Sequence, residues 1–203
     1  MCAGIKLPRA LTPEKPHSEI LRREQVVSLS KKLAEPYATL VLFLDATGTR
    51  IGEAIGLKAS DIDAEGNVHI CRRIYEGKAD TPKTKNSNRK LPLGGTELLN
   101  RLRSLGQGYI FASREGTPVN PGNALKRYIR PAATELGITL SGWHAFRHSA
   151  ATQMLRNRVS PKVAADILGH DVKMLLSTYH HPEMEDFRLP LQERAGGLLC
   201  DVM

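Results

Sequence analysis

Residues 47–57 read TGTRIGEAIGL, and the break inside that stretch decides what lies on either side of it. A glycine just after an apolar run stops a helix, because glycine enters the left-handed conformation without a Cβ penalty. Upstream, Pro36 to Thr47 is apolar almost all round and predicts a central helix ended by Gly48, with Pro36 suited to its first turn. Downstream, a short helix is predicted from Thr49 to about Leu57. Arg50 stands at its start, and Glu53 follows three residues later on the same face. That spacing lets the carboxylate orient the guanidinium, whose planar fork of donors fits two oxygens of a phosphate. Taken alone, such a pair is a surface ion pair worth little.

Working outward, residues 1–19 are rich in proline and charge and read as a linker or arm. A helix is predicted from near Ser18, with Leu21, Val26, Leu29 and Leu33 as its apolar stripe. After the central helices the pattern changes. Asn67 to Tyr75 (NVHICRRIY) and Arg89 to Leu93 (RKLPL) are strand candidates, and the polar, basic GKADTPKTKNSN between them predicts a hairpin loop. Tyr109 to Ala112 is a third strand candidate. From Pro121 the sequence turns helical again, at about 121–136, 144–157, 160–168, 172–179 and 183–194. The expected fold class is mainly α with a small antiparallel β-sheet, that is α+β.

The chain has 203 residues, 41% hydrophobic and 25% charged, enough for one domain with a real core. Lys+Arg number 29 against 21 Asp+Glu, a formal net charge of +8. Such an excess suits a polyanion, with nucleic acid first and an anionic membrane surface second. Three scattered cysteines, Cys2, Cys71 and Cys200, argue against a disulfide framework or a CxxC zinc site and fit a reducing cytosol. The N-terminus lacks the apolar core of a signal peptide. The longest apolar run, Tyr37 to Ala46, is too short to cross a bilayer and contains Asp45.

Three further stretches carry phosphate-friendly groups: TPKTKNSNRKLPL (81–93), HAFRHSAATQML (144–155) and LGHDVKMLLSTYHHP (168–182). In the first, Lys83 and Lys85 flank Thr84 in the loop; a mobile lysine can donate a proton to a leaving oxygen. In the second, His144 and Arg147 share a helical face and can converge on one anion. His148 lies four residues from His144, but the pattern lacks the glutamate of HExxH, so no metal site is expected. In the third, Tyr179 lies nine residues beyond His170. Its hydroxyl needs nearby cations or a base to become a nucleophile.

The ordered set resembles the catalytic domain of the tyrosine recombinases, the phage integrase family. The pattern is arginine, hairpin lysine, His-x-x-Arg, Leu-Gly-His, then tyrosine. The resemblance runs from about Leu21 to Arg194, on TGTRIGEAIGLKASDID, PKTKNSNRKLPL, HAFRHSAAT and the LGH-to-tyrosine segment. It implies a site-specific DNA recombinase or integrase that cleaves and rejoins strands through a 3′-phosphotyrosyl link, with no metal, cofactor or ATP. A type IB topoisomerase and a truncated, non-catalytic DNA-binding remnant are the alternatives. The resemblance implies Tyr179 as nucleophile and Arg50 and Arg147 as the clamp on the scissile phosphate. It implies Lys83, with Lys85 as alternative, as general acid, His144 as the group assisting proton removal, and His170 as a hydrogen-bond partner of the phosphate. Arg50, Lys83, Lys85, Arg89 and Arg147 are the expected DNA contacts, and Glu53, Asp61 and His148 the expected support. Three parts are expected: an arm (1–19), a catalytic domain (20–182) and a tail (183–203). The tail's Leu189, Leu191, Leu198 and Leu199 pack either on their own domain or on a neighbouring protomer. The family's N-terminal core-binding domain is expected to be absent. Duplex DNA is the implied partner, with a tetrameric synapse on DNA, in a prokaryotic, nucleoid-associated cytoplasmic setting.

Overall fold

The computed structural model describes residues 20–80 and 88–179. Three helices come first among the described residues: α1 (Arg23–Lys32), α2 (Tyr37–Thr47) and α3 (Ile51–Ile55). Four short strands follow, β1 (Asn67–Ile70), β2 (Arg73–Tyr75), β3 (Lys78–Asp80) and β4 (Arg89–Pro92). Six more helices complete the described residues: α4 (Glu97–Ser104), α5 (Pro121–Ala124), α6 (Arg130–Glu135), α7 (His144–Arg156), α8 (Pro161–Leu168) and α9 (Val172–Tyr179). No helix among them is long and apolar enough to cross a membrane.

The predicted central helix is central. Leu40, Val41, Phe43 and Leu44 of α2 are wholly buried, between α1 on one side and α7 on the other. A helix apolar all round has to be covered all round. A second, smaller core joins α7, α8 and α9 through Ala151, Ala164, Ala165, Leu168 and Leu175.

Several local expectations are corrected. The first helix starts at Arg23, not near Ser18, which lies outside the described residues. The backbone of Leu21 is taken by α7: its N–H donates to Ser149 Oγ (2.7 Å) and its carbonyl accepts from Gln153 Nε2 (2.8 Å). Those groups are not available to a helical turn. Residues 67–75 form two strands, not one. β1 pairs antiparallel with β4, Val68 facing Leu91 and Ile70 facing Arg89. At Arg72 the chain turns aside, because its guanidinium binds Asp61 and the Gly56 carbonyl. β2 then pairs with β3 through a tight turn, Glu76 and Gly77 both adopting positive φ (49° and 76°), as two-residue hairpins require. Tyr109–Ala112 makes isolated bridges to Lys58 and Pro118 and no ladder. Helix α4 was not expected from the sequence. Thr96 caps it by accepting from the Leu99 N–H, and Leu99 and Leu102 are its buried stripe. The helix expected over 121–136 is interrupted: Leu125–Ile129 forms a π turn between α5 and α6, ahead of Pro131, which has no N–H to return to the preceding turn.

Gly48 caps α2 in the left-handed region, φ 60°, and its N–H donates to the Leu44 carbonyl (2.8 Å). A side chain there meets both an unfavourable left-handed conformation and a filled space: a Cβ would overlap Leu168 Cδ2 and stand 3.1 Å from Ala150 Cβ. Gly48→Ala is expected to cost about 3 kcal/mol, from left-handed strain plus overpacking. Gly77→Ala shares the positive φ but has nothing within 4 Å, and is expected to cost about 1 kcal/mol. Urea denaturation of the two variants checks the difference; equal losses would contradict the packing assigned to Gly48.

Candidate active site

The turn after Gly48 delivers Arg50 to the N-cap of α3. Its own N–H donates to Glu53 Oε2 (3.3 Å), and its Nη1 donates to Glu53 Oε1 (2.9 Å). The Glu53 side chain is 3% exposed, whereas that of Arg50 is 39% exposed. The anchored end is therefore buried and the cation reaches solvent.

Glu53 has a second cation. Arg89 Nη2 donates to Glu53 Oε2 at 3.0 Å, and Arg89 Nε donates to the Ile167 carbonyl at 2.6 Å. Strand alternation explains the placement: Arg89 and Leu91 lie on the inner face of β4, while Lys90 and Pro92 face out. The Arg89 side chain is 7% exposed. Burial pushes the Glu53 carboxyl up, but Arg89 and Arg50 outweigh it and hold the group below the ordinary carboxylate value.

Arg147 arrives from the opposite direction. It lies in the first turn of α7, buried at 4% exposure, and its Nη1 donates to the Gly48 carbonyl at 2.6 Å. Trp143 Nε1 donates to the Pro121 carbonyl (3.0 Å) and fixes the helix start. His144 is exposed as the first residue of α7, one turn before the half-buried His148. Burial, then His144 and Arg147, lowers the His148 pKa.

His170 follows Gly169, the left-handed cap of α8, and its N–H donates to the Ala165 carbonyl (2.9 Å). Burial first, then the charges of Arg147, Arg50 and Arg89, pull its imidazole down from 6.5 to about 4, with Glu53 acting in the opposite sense. The groups felt by this one ring come from α3, β4 and α7. Asp171 Oδ1 then accepts from the Lys173 N–H (2.8 Å) and opens α9, whose last residue is Tyr179.

Arg50, Arg147 and His170 thus share one electrostatic neighbourhood, with Arg89 packed beneath Arg50 and Glu53. Lys83 and Lys85 lie outside the described residues, and Tyr179 is placed by its backbone at the end of α9. Sequence reading missed two backbone acceptors, the carbonyls of Gly48 and Ile167. No residue type announces a carbonyl's role; only the cap conformation at Gly48 hinted at it. Among the described residues, no group of three or more His, Cys, Asp or Glu side chains is placed to hold a metal ion.

An imidazole held at about 4 is neutral near pH 7 and donates an N–H without adding charge. The unfolded chain takes up this proton near 6.5 and the folded one only near 4. The contribution to stability is therefore complete above 6.5 and is lost progressively as pH falls from 6.5 towards 4. NMR titration of the His170 ring should give a midpoint near 4; a midpoint at or above 6.5 would contradict the cationic surroundings.

Comparison with known proteins identifies the family and the fold. Residues 19–186 match the model of the phage integrase family. A XerC-like tyrosine recombinase of Caldanaerobacter subterraneus is 29% identical over 217 residues, covering 89% of this chain and 55% of the relative. Tyrosine recombinase XerC of Alcanivorax borkumensis is 26% identical over 194 residues, covering 90% and 59%. The chain therefore spans between half and two thirds of the length of these curated relatives. Among solved structures, the Tn1549 transposon integrase in complex with circular intermediate DNA superimposes with a TM-score of 0.73 at 21% identity, covering 89% of this chain and 68% of that one. XerA recombinase gives 0.62 at 24% identity, covering 94% and 69%. With the family model spanning most of its length and the fold in agreement, this chain belongs to the phage integrase family.

Proposed function

We propose that this chain is the catalytic part of a site-specific DNA recombinase that cuts and rejoins duplex DNA through a 3′-phosphotyrosyl link, without metal or ATP. The observation that supports it most is the gathering of Arg50, Arg147 and a neutral His170 from three distant segments onto one site, with α9 running from that site to Tyr179. Three guanidinium groups, Arg50, Arg89 and Arg147, act on the His170 ring against the one carboxylate of Glu53, which pairs with Arg50 and Arg89. The surplus positive charge calls for an anion, and the partly exposed Arg50 is where one enters.

In this reading the Tyr179 hydroxyl attacks the scissile phosphorus as His144 assists removal of its proton. A P–O bond forms to the tyrosine, and the bond from phosphorus to the 5′ oxygen breaks. Lys83, or Lys85 in its place, gives that oxygen a proton, so a 5′-hydroxyl departs. Arg50 and Arg147 hold the non-bridging oxygens while negative charge grows on them, and fixed donors aimed at developing charge are usually the largest catalytic contribution. His170 adds a neutral hydrogen bond to the same group. The phosphotyrosyl ester keeps the energy of the broken diester, so a second 5′-hydroxyl reverses the step. Duplex DNA is the proposed partner, through Arg50, Lys83, Lys85 and Arg147, with copies of the chain assembling on it. Residues 1–19 as an arm and 183–203 as a tail complete the proposal, and both lie outside the described residues.

A nicked duplex that traps the cleaved state should give an adduct that survives denaturant, and Tyr179→Phe should abolish it; an adduct persisting in that variant would overturn the assignment. Arg50→Ala and Arg147→Ala should each lower the cleavage rate by at least about 100-fold while duplex affinity falls far less, because these contacts strengthen in the transition state. Equal losses in rate and affinity would reduce the two arginines to phosphate anchors.

A further inference from the structure

Arg89 was expected among the DNA contacts, yet its side chain is 7% exposed and donates to Glu53 Oε2 and to the Ile167 carbonyl. Those two acceptors belong to different parts of the site. Glu53 Oε1 is the partner of Arg50. Ile167 is in the last turn of α8, three residues before His170. One guanidinium in β4 therefore clips the carboxylate that aims Arg50 to the helix end that presents His170. The planar fork makes this possible: Nε and Nη2 point along fixed, separate directions, which a lysine ammonium cannot reproduce.

Resting on the function proposed above, we propose that Arg89 is a positioning residue that sets the angle of Arg50 through Glu53 and the height of His170 through Ile167, and makes no contact with DNA itself. A buried carboxylate with two cations is held far more tightly than one with a single cation at its exposed edge. Without Arg89, Glu53 is free to turn towards Arg50 alone, and the guanidinium loses its fixed presentation. A misplacement of about 1 Å can cost about 100-fold in rate.

The test uses the full chain and the variants Arg89→Met, Arg89→Lys, Glu53→Gln and the Glu53→Gln/Arg89→Met pair. Three quantities are read: single-turnover cleavage of a nicked duplex, affinity for the same duplex, and hindered rotation of the Arg50 guanidinium by side-chain NMR without DNA. Arg89→Met is expected to lower cleavage about 100-fold and to leave affinity within about twofold, with Arg50 rotation fast where it is slow in the parent. The double variant should be no more than about twofold worse than the poorer single one, because the two residues act as one unit. Arg89→Lys, which keeps charge but not the fork, should recover only part of the rate and provides the folded comparison should Arg89→Met not fold. An affinity loss of about tenfold or more with cleavage of bound DNA unchanged would make Arg89 a DNA contact instead. Arg50 rotation unchanged in every Arg89 variant would overturn the inference. The NMR measurement needs no reaction, so a parent chain that forms no adduct but shows the Arg50 response sinks the proposed function and leaves the positioning role standing.

Discussion

The buried carboxylate of Glu53 is the joint on which the site turns. It sits between Arg50 and Arg89 at 2.9 and 3.0 Å, with 3% of its side chain exposed. A charge taken out of water is costly unless its partners are near and well aimed. Here the two carboxylate oxygens each receive a guanidinium nitrogen, and Oε2 also accepts the Arg50 N–H, which caps α3. One group thereby ends one helix turn, aims one cation outward and ties both to β4. Separating the buried Arg89 from the buried Glu53 would be strongly destabilising, so this pair tolerates little drift, whereas Arg50 is open to water.

Around that joint the electrostatics are deliberately unbalanced. Arg147 adds a third guanidinium, held by the Gly48 carbonyl, and the response of His170 is to stay neutral, its pKa held at about 4 by burial and then by Arg147, Arg50 and Arg89. A site with surplus fixed positive charge and a neutral donor is poorly satisfied by water alone and well satisfied by a phosphate diester. The anion's own charge would push the His170 pKa back up, so ligand and imidazole reinforce each other.

Much of this was legible in the sequence because it is encoded locally. The apolar run before Gly48, the glycine stop and the Arg50–Glu53 spacing fix the α2–α3 corner within a few residues. The α8 stretch likewise carries its own caps, Ser160 at its start and Gly169 at its end. What escaped reading depends on contacts remote in the chain. Leu21 is kept out of α1 by Ser149 and Gln153 of α7. Residues 67–75 split because Arg72 prefers Asp61 to the ladder. Arg89 sits in a basic segment and reads as a surface cation; its place on the inner face of β4 follows from pairing with Ile70, and Glu53 is what makes an arginine acceptable there. Helix α4 is the exception, since Thr96 and the Leu99–Leu102 stripe were present in the local sequence.

A crystal structure of the Tyr179→Phe variant bound to duplex DNA addresses the central claim most directly. One backbone phosphate should lie with its non-bridging oxygens within hydrogen-bond reach, about 3 Å, of Arg50 and Arg147, with the His170 ring on the same phosphate and Arg89 still buried on Glu53. A duplex bound through another face, with Arg50 and Arg147 on different phosphates or on none, would contradict the account.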